Sequence, residues 1–462
     1  MKENQLFKEC YSLNEIEVLD KILEKVIIPL KQHDGVICDP VVSAGDRVLV
    51  GQKIGECSAN YCSCVHSSVS GEVTSIAKVP HPGGNRVESV IIKPDENQES
   101  VDFVPAGALS PQGIISAIKE AGIVEHFGTP THILLNTKKE IDTVVINATS
   151  SEWIQGKYDT PADYASQIIS GLKLLMSAAE APRGAIVVRK DDPETIEAFE
   201  SATLDGNPVH VAPLIGKRRI DYYYEDLGTD IVVVSQDPMY GKSLLNLFTY
   251  NITGRKVPIS CDPSEVGVAV CSVKTSKAVY DAVHDGIPVY ETVVTVSGAV
   301  KSPKKIQVKI GTPLKDVIEA CGGYSGEPGK LIVNGMITGI AQYTDEVPVT
   351  KTTISIYAQR KEEMVIDEAR SCLHCARCVD ACPVDLVPSR IAILADRGRF
   401  DECMDLYVMN CIECGRCAAT CPSKLHILQL IRYAKASLKK VYPETIQESE
   451  NMHSGCLLNG GQ

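Results

Sequence analysis

The chain has 462 residues, of which 44% are hydrophobic and 23% are charged, as is ordinary for a soluble globular protein. This length predicts about three domains of roughly 150 residues each. The formal net charge of −13 argues against a nucleic-acid partner, because a phosphate backbone is bound by clustered cations. No apolar run of about 18 residues appears, so no transmembrane helix is predicted. The first residues also lack the apolar core of a secretory signal.

The N-terminal part of the sequence predicts a small β-rich domain. Residues 34–80 alternate short apolar runs with glycine turns, as at Gly45, and place Val48, Val50 and Ile54 at alternating positions. This pattern resembles the barrel-sandwich fold of lipoyl and biotinyl carrier domains. The hairpin that carries the attachment lysine in those carriers has no lysine here, so we expect a structural or docking module.

The next segment predicts an α/β layer domain. Between residues 112 and 260, apolar runs alternate with segments whose apolar side chains recur every three to four positions. Asp192 and Pro193 mark the start of one predicted helix, because proline suits the first turn. The runs fit for buried parallel strands are 141–148, 184–190, 207–214 and 229–236.

The chain then returns to strand character before it becomes helical. Residues 290–357 are β-rich with one inserted helix, which Gly322 and Gly323 are expected to end. From Glu363 onward, helical patterns surround a group of cysteines. The tail from 442 to 462 is polar and is predicted to be disordered.

A cysteine pattern that occurs twice is the most informative feature of the chain. The run Cys-x2-Cys-x2-Cys-x3-Cys-Pro begins at Cys372 and again at Cys411. Its spacing suits a cubane iron–sulfur cluster, and in two-cluster ferredoxins the fourth cysteine of each run ligates the other cluster. We therefore assign Cys372, Cys375, Cys378 and Cys421 to cluster 1, and Cys411, Cys414, Cys417 and Cys382 to cluster 2.

Two zinc knuckles, or plain buried thiols, are the alternatives to iron–sulfur clusters. Zinc sites usually pair two short Cys-x2-Cys arms and need no third cysteine in each arm, so electron transfer is favoured. The need for free thiolates in a large chain without a signal indicates a reducing, cytoplasmic setting. Two helical patterns that meet at Arg397 and Gly398 separate the motifs, and a basic amphipathic helix follows Cys421. These helices indicate an α-helical ferredoxin domain.

Taken together, the segments resemble RnfC, the C subunit of the Rnf complex, which is a membrane-bound ion-translocating oxidoreductase. Matching stretches lie at 41–56, 253–260, 282–300 and 309–323. The resemblance implies a multidomain α/β and α+β fold. Its units are a barrel-sandwich (lipoyl-like) domain at 1–110, an α/β domain like the flavin subunit of complex I at 111–285, a soluble-ligand-binding β-grasp (SLBB) domain at 286–357, a two-cluster [4Fe-4S] ferredoxin domain at 358–440 and the disordered tail at 441–462.

The resemblance also implies a place for the protein in the cell. We expect a peripheral iron–sulfur subunit on the cytoplasmic face of the cell membrane, partnered by the integral and iron–sulfur subunits of an Rnf complex that transports Na+ or H+. No catalytic residue is predicted, since neither a Gly-x-Ser-x-Gly elbow nor a phosphate-binding GxxxxGK[ST] loop is present.

The α/β segment departs from the family where flavin and NADH bind. Members that bind them usually carry consecutive glycines before a Phe-Pro-Thr-His stretch, so that backbone amides approach phosphate groups closely. Gly128 and Thr131 fit this pattern, but Glu125, His126 and Phe127 stand where small residues are expected. A carboxylate there repels phosphate, and its bulky neighbours block the backbone.

Just after the first stretch, Leu134 replaces the lysine that is usual in the family. In a second family motif, Gly-Ala-Glu-Cys-Glu-Pro-Tyr, only Glu152 is retained. Both losses predict that FMN is bound weakly or not at all and that NADH is not the donor. Reduced ferredoxin, or a neighbouring iron–sulfur subunit, is then the expected donor, with electrons ending on a membrane carrier or cytochrome.

Three other functions and one further site stay open. The chain could be a soluble cobalamin-reductase-like flavin and iron–sulfur enzyme, an NADH-oxidising Rnf subunit, or a docking scaffold with structural clusters. Cys57, Cys62 and Cys64, with His66 close by, could bind zinc or iron, or could be small residues gathered in hairpin loops. Cys403 is expected to be a packed thiol.

Overall fold

Four structural units follow one another along the chain in the predicted order, as a computed structural model shows. The structure describes residues 16–441 except for a set of short internal gaps. Within that part of the chain, no helix combines the length and apolar character needed to cross a bilayer. The gaps are 22, 59–60, 108–109, 126–127, 138, 150–160, 205, 215–217, 238–244, 259–260, 336–338 and 365–368.

Two small antiparallel sheets form the N-terminal barrel sandwich. Apolar side chains on the inner faces of both sheets, such as Ile28, Ile54 and Val90, are fully buried between them. One sheet consists of β2 (Val26–Pro29), β8 (Arg86–Pro94), β7 (Gly71–Pro80) and β4 (Arg47–Val48) in that order, and the other of β3 (Asp39–Pro40), β5 (Lys53–Glu56) and β6 (Val65–His66).

The first described strand, β1 (Ile16–Val18), does not belong to the barrel sandwich. It pairs in parallel with Lys304–Lys309 of the third unit, and the Lys304 ammonium lies 2.6 Å from the Glu17 carboxylate. The predicted first domain, 1–110, therefore contributes its first strand to the sheet of another unit. No local pattern signals this, because the partner strand is far along the sequence.

A five-stranded parallel sheet forms the centre of the α/β unit. Its strands are β13 (Val211–Pro213), β14 (Ile231–Gln236), β10 (Arg183–Arg189), β9 (Thr143–Asn147) and β15 (Val268–Ser272) in that order. The helices are α1 (Pro111–Glu120), α2 (Thr131–Leu135), α3 (Pro161–Ala179), α4 (Pro193–Ser201), α5 (Ile220–Leu227), α6 (Leu245–Thr253) and α7 (Val273–His284), with a 3₁₀ turn at Pro263–Val266.

Most predicted elements of the α/β unit are confirmed, with two differences. The predicted strand at 207–214 is divided: Asn207–Pro208 pairs with Thr203–Leu204 in a separate hairpin, because a proline has no N–H for a continuous ladder. The strand β15 was not predicted, because its apolar run passes directly into helix α7 without a breaker. The predicted helix start is confirmed, since Asp192 accepts from the backbone N–H of Thr195 at 3.2 Å.

The third unit is a six-stranded mixed sheet with one helix. Gly322 and Gly323 follow that helix with φ of 80° and 82°, so the predicted helix end is confirmed. Starting from β1 at one edge, the strand order is β1, β17 (Lys304–Lys309), β16 (Glu291–Gly298), β20 (Ser355–Arg360), β18 (Pro328–Val333) and β19 (Ile340–Gln342). Helix α8 spans Leu314–Ala320, and a 3₁₀ turn spans Lys361–Glu363.

The last unit is helical, as predicted. The two helices between the cysteine motifs meet at Gly398, whose φ is 68°, and the buried Cys403 packs between them as a thiol. The helices are α9 (Arg377–Asp380), α10 (Pro388–Asp396), α11 (Phe400–Asp405), α12 (Arg416–Ala419) and α13 (Ile427–Val441), with a 3₁₀ turn at Val408–Asn410.

One buried lysine joins the first three units. The ammonium group of Lys351, in the β-grasp unit, donates to the carbonyl of Cys64 at 2.6 Å and to that of Gly122 at 2.7 Å. Cys64 lies in the barrel sandwich and Gly122 in the α/β unit. Because Lys351 is only 4% exposed, burial lowers its pKa to about 8.

Gly122 is the position where this junction is most sensitive to substitution. Its φ is 72°, and an added Cβ would lie 2.3 Å from the Cys64 carbonyl oxygen and 2.4 Å from the Lys351 ammonium. Gly122→Ala should therefore destabilise the protein by about 2–5 kcal/mol, through backbone strain plus overpacking. Gly84→Ala is the matched control, since Gly84 has a φ of 85° with nothing within 4 Å and should cost only about 1–2 kcal/mol. Equal thermal shifts for the two variants would contradict this assignment.

Candidate iron–sulfur centre

The two cysteine motifs fold into matching loops. His374 and Glu413 occupy equivalent positions and adopt left-handed backbone, with φ of 53° and 56°. Their N–H groups donate to the sulfurs of Cys372 and Cys411, each at 3.4 Å. Backbone N–H groups that point at cysteine sulfurs stabilise thiolate charge and tune the reduction potential of a bound cluster. The local geometry thus suits cluster ligation in both loops.

The first loop and the end of the second loop enclose a common cavity. The hydroxyl of Ser423 donates to the Ser371 carbonyl at 3.0 Å, and the Arg370 N–H donates to the Ser423 carbonyl at 3.0 Å. These bonds hold the end of the second motif against the start of the first. The cysteines that line the cavity are Cys372, Cys375, Cys378 and Cys421.

The fourth cysteine of the first motif lies beside the second motif. Burial raises the pKa of Cys414 and raises that of Cys417 to about 12, and in both cases the charge of Cys382 adds to the effect. The Leu386 N–H donates to the Cys382 sulfur at 3.4 Å. The fold thus brings Cys382 together with the cysteines of the second motif.

The predicted basic helix, confirmed as α13, places two cations at the second loop. Lys435 and Arg432 contact the Glu413 carboxylate at 2.8 and 2.9 Å, and Lys435 also donates to the Cys411 carbonyl at 2.6 Å. Burial raises the pKa of Glu413, but these cations more than offset it and leave the pKa below its usual value. The second loop is therefore fixed by charged contacts.

The two loops differ in their exposure to solvent. In the first loop Cys375 is exposed and the neighbouring Leu373 side chain is 68% exposed. In the second loop the equivalent Cys414 is buried, whereas the third cysteine of each motif, Cys378 or Cys417, is buried in both loops. A cluster in the first loop would lie nearer the surface than one in the second loop.

The α/β unit carries a buried carboxylate where the family pattern has small residues. Glu125 lies at the N-terminus of helix α7, and its Oε2 accepts from the Ser272 N–H at 3.1 Å. Burial raises the pKa of Glu125 to about 7, although hydrogen bonds from Thr275 and Ser272 oppose the shift. A helix N-terminus is a natural anion site, and here the anion is supplied by the protein itself.

The other residues of the predicted flavin pocket have separate surroundings. The Gly128 carbonyl accepts from the Asp34 N–H at 2.8 Å and so faces the barrel sandwich, while Thr131 is buried at the start of α2. Leu134 lines the same small cavity as Glu125. Its side chain makes that wall apolar, at a position where a cation would attract phosphate. His126, Phe127 and Glu152 lie outside the described residues.

Four family models match the chain in order. They are an RnfC barrel sandwich hybrid domain at 7–97, a Nuo51 FMN-binding domain at 118–281, an SLBB domain at 293–341 and a 4Fe-4S dicluster domain at 364–422. These matches define a class of multidomain iron–sulfur proteins that join a carrier-like module to an α/β domain of the complex I type.

Curated relatives identify the family within that class. The chain is 49% identical to the C subunit of the ion-translocating oxidoreductase complex of Methanosarcina acetivorans, over 97% of this chain and all of that protein. It is 34% identical to the C subunit of the proton-translocating ferredoxin:NAD(+) oxidoreductase complex of Clostridium ljungdahlii, over 92% of this chain and 91% of that one. It is 35% identical to the Na(+)-translocating counterpart of Acetobacterium woodii, over 90% and 91%. The chain belongs to the RnfC family, the C subunits of ion-translocating oxidoreductase (Rnf) complexes.

Among solved structures, an NAD+-reducing [NiFe]-hydrogenase in the H2-reduced state aligns with 74% of this chain and 69% of its own chain. The TM-score is 0.47 and the sequence identity is 15%.

The buried Glu125 predicts a pH-dependent stability. Because its pKa rises from 4.5 to about 7 on folding, the folded state holds the proton more tightly than the unfolded state. Its contribution to stability is fully present below pH 4.5 and is lost as the pH rises through about 7. Glu125→Gln should therefore become more stable relative to the wild type between about pH 4.5 and 7.5, by up to about 3 kcal/mol.

The unfolding midpoints of the two proteins, compared at each pH, measure this effect. The acid lability of the clusters affects both proteins alike and cancels in the difference. If the unfolding midpoints of wild type and Glu125→Gln change in parallel with pH, the pKa of the Glu125 carboxyl is not raised.

Proposed function

We propose that this chain is an iron–sulfur electron-transfer subunit of an Rnf complex that couples electron flow to Na+ or H+ transport. Family membership supports the complex, and the names of two relatives refer to protons and to Na+ respectively. The observation that carries the proposal is the shared cavity of three cysteines from the first motif and one from the second. The chain would lie peripherally on the cytoplasmic face of the membrane, beside the integral and iron–sulfur subunits.

The eight motif cysteines are proposed as the ligands of two [4Fe-4S] clusters in crossed sets. When bound, each cluster accepts and donates a single electron. The protein supplies thiolates, N–H groups directed at sulfur, and a helical core that keeps the two loops adjacent. Cluster 1 is assigned to Cys372, Cys375, Cys378 and Cys421, and cluster 2 to Cys411, Cys414, Cys417 and Cys382.

Cluster 1 is proposed as the contact with a partner, because Cys375 and Leu373 are exposed beside it. An exposed apolar side chain next to a cluster suits docking, since it lets a partner approach closely and exclude water. Cluster 2, with its cysteines more buried, would then pass electrons between cluster 1 and the rest of the protein complex.

The electron donor is proposed to be reduced ferredoxin and not NADH. The Glu125 carboxylate stands at the helix N-terminus where a phosphate of FMN or NADH would otherwise be stabilised, and two negative groups there repel each other. The residues of this pocket therefore do not fit a tightly bound FMN. The names of the Clostridium and Acetobacterium relatives include NAD(+), whereas the name of the 49% identical relative does not.

Crossed ligation predicts an asymmetry between two double variants. Cys372→Ala with Cys421→Ala removes two ligands of one cluster, so about four irons should remain. Cys372→Ala with Cys382→Ala removes one ligand from each cluster, so markedly fewer than four should remain intact. Iron and sulfide counts after anaerobic purification measure this, and Cys403→Ala is the control that should keep about eight irons. The reverse asymmetry would mean that each motif holds its own cluster.

The donor is tested by reduction of the anaerobic protein in the cuvette. Reduced ferredoxin should bleach the cluster absorbance to the extent that dithionite does, and NADH should leave it unchanged. The flavin count should be well below one per chain, with the corresponding protein of Clostridium ljungdahlii measured in parallel. Stoichiometric FMN with rapid bleaching by NADH would instead favour an NADH-oxidising subunit. Corrin reduction by the flavin-loaded protein alone would favour a cobalamin reductase.

A further inference from the structure

A second group of metal-type donors lies in the barrel sandwich. His33, Cys38 and Cys62 are all buried, and their donor atoms lie within 4.8 Å of one another. In the described part of the chain, no other three His, Cys, Asp or Glu residues meet this condition. The eight motif cysteines do not, as would suit the proposed clusters, in which each cysteine binds a different iron. The group in the barrel sandwich has the dimensions of a site for a single ion.

The sequence supplies these donors in two arms of equal spacing. His33 and Cys38 are separated by four residues, and so are Cys57 and Cys62. Zinc sites typically combine two such arms with two to five intervening residues. Strands β3 and β5 bring the arms together, since they pair Asp39–Pro40 with Gly55–Glu56 directly beside Cys38 and Cys57.

The two arms are in direct contact. Gly35, within the first arm, has a φ of 110°, and a Cβ there would lie 2.5 Å from the ring of Tyr61 in the second arm. The sulfurs of Cys38 and Cys62 are 3.8 Å apart. Two thiolates at about 2.3 Å from one tetrahedral zinc ion stand about 3.8 Å apart, so this separation fits a shared ion.

The imidazole of His33 provides an independent sign of a missing ligand. It is 4% exposed, and neither ring nitrogen makes a hydrogen bond of normal geometry, although the Val36 carbonyl lies near enough to affect it. A buried polar group without a partner is destabilising, and a metal ion bound at either ring nitrogen would remove that cost.

The charge of the surroundings also fits a metal–thiolate centre. Three thiolates and one divalent cation carry a net charge of −1. Lys351 lies close to this group, since its N–H donates to the side chain of Gln32, next to His33, at 3.0 Å, and its buried ammonium donates to two uncharged carbonyls. An anionic centre beside Lys351 would offset the cost of burying that cation.

We propose that His33, Cys38, Cys57 and Cys62 bind one zinc ion as a tetrahedral structural site that clamps two loops of the barrel sandwich. Cys57 is half-buried and lies outside the group of three, with its sulfur bonded to that of Cys62 as a disulfide and the two Cα atoms 6.3 Å apart; reduction of that bond would free Cys57 as the fourth donor. The disulfide and the zinc site are mutually exclusive states of this pair, and the zinc site belongs to the reduced protein. Cys64 lies outside the site, since it is not among the residues whose donor atoms lie within 4.8 Å of one another.

Metal analysis of the full-length protein tests this site beside the clusters. Protein purified anaerobically after expression with zinc should contain about one zinc per chain in addition to about eight irons. Cys38→Ser should lose at least about 80% of the zinc and keep its iron, because it removes one of four ligands. Cys64→Ser is the matched control, a buried cysteine of the same domain outside the site, and should keep both metals.

Zinc X-ray absorption on the wild type gives a result that needs no variant and is blind to iron. The proposed site predicts three sulfur ligands at about 2.3 Å and one nitrogen at about 2.0 Å. Oxygen ligands alone would show adventitious zinc and overturn the proposal. A zinc content below about 0.2 per chain, where a structural site holds one ion, would also overturn the proposal if the anaerobic protein keeps the Cys57–Cys62 disulfide. Mass spectrometry would show that disulfide as two cysteines that resist alkylation.

Discussion

A single buried cation lies where the first three units meet. Lys351 extends from the β-grasp unit and binds one carbonyl of the barrel sandwich and one of the α/β unit, at 2.6 and 2.7 Å. An ammonium group that loses water is costly unless such acceptors stay within hydrogen-bond distance. The three units are therefore held together at this point. Gly122 permits the contact, because any larger residue would occupy the space of the lysine.

This junction relates the metal-type donors to the architecture of the whole chain. The loop that carries His33 lies at the same internal corner as Lys351, since the Lys351 N–H donates to the side chain of Gln32, the residue before His33, at 3.0 Å. The carrier-like unit has no attachment lysine at its hairpin, and its loops are directed inward toward the neighbouring units. On the proposed function, this unit is a rigid joint and not a swinging arm.

The sequence predicted what is encoded locally and missed what depends on distant contacts. The duplicated cysteine motif, the strand Thr143–Asn147 and the helix cap at Asp192 are set by spacing and capping within a few residues. The contact between Glu125 and Ser272 spans 147 positions, so only the fold reveals it. The His33 to Cys38 arm was missed for the same reason, although its spacing, equal to that from Cys57 to Cys62, was a usable signal.

The α/β unit illustrates how a fold can keep its geometry while its chemistry changes. At the carboxyl end of β15, the helix that begins at Val273 directs its first N–H groups at one point, where they need hydrogen-bond acceptors. A bound phosphate can fill that role in a flavin-binding domain. Here the protein's own groups fill it, because the Ser272 hydroxyl accepts from the Thr275 N–H and the Glu125 carboxyl accepts from the Ser272 N–H, each at 3.1 Å. Since burial raises the pKa of Glu125, its ionised form is the costlier one to bury, so Glu125 satisfies this terminus by a hydrogen bond and not by a stabilising charge. The sheet and its helices thus persist around a pocket lined by Leu134 and a carboxyl group.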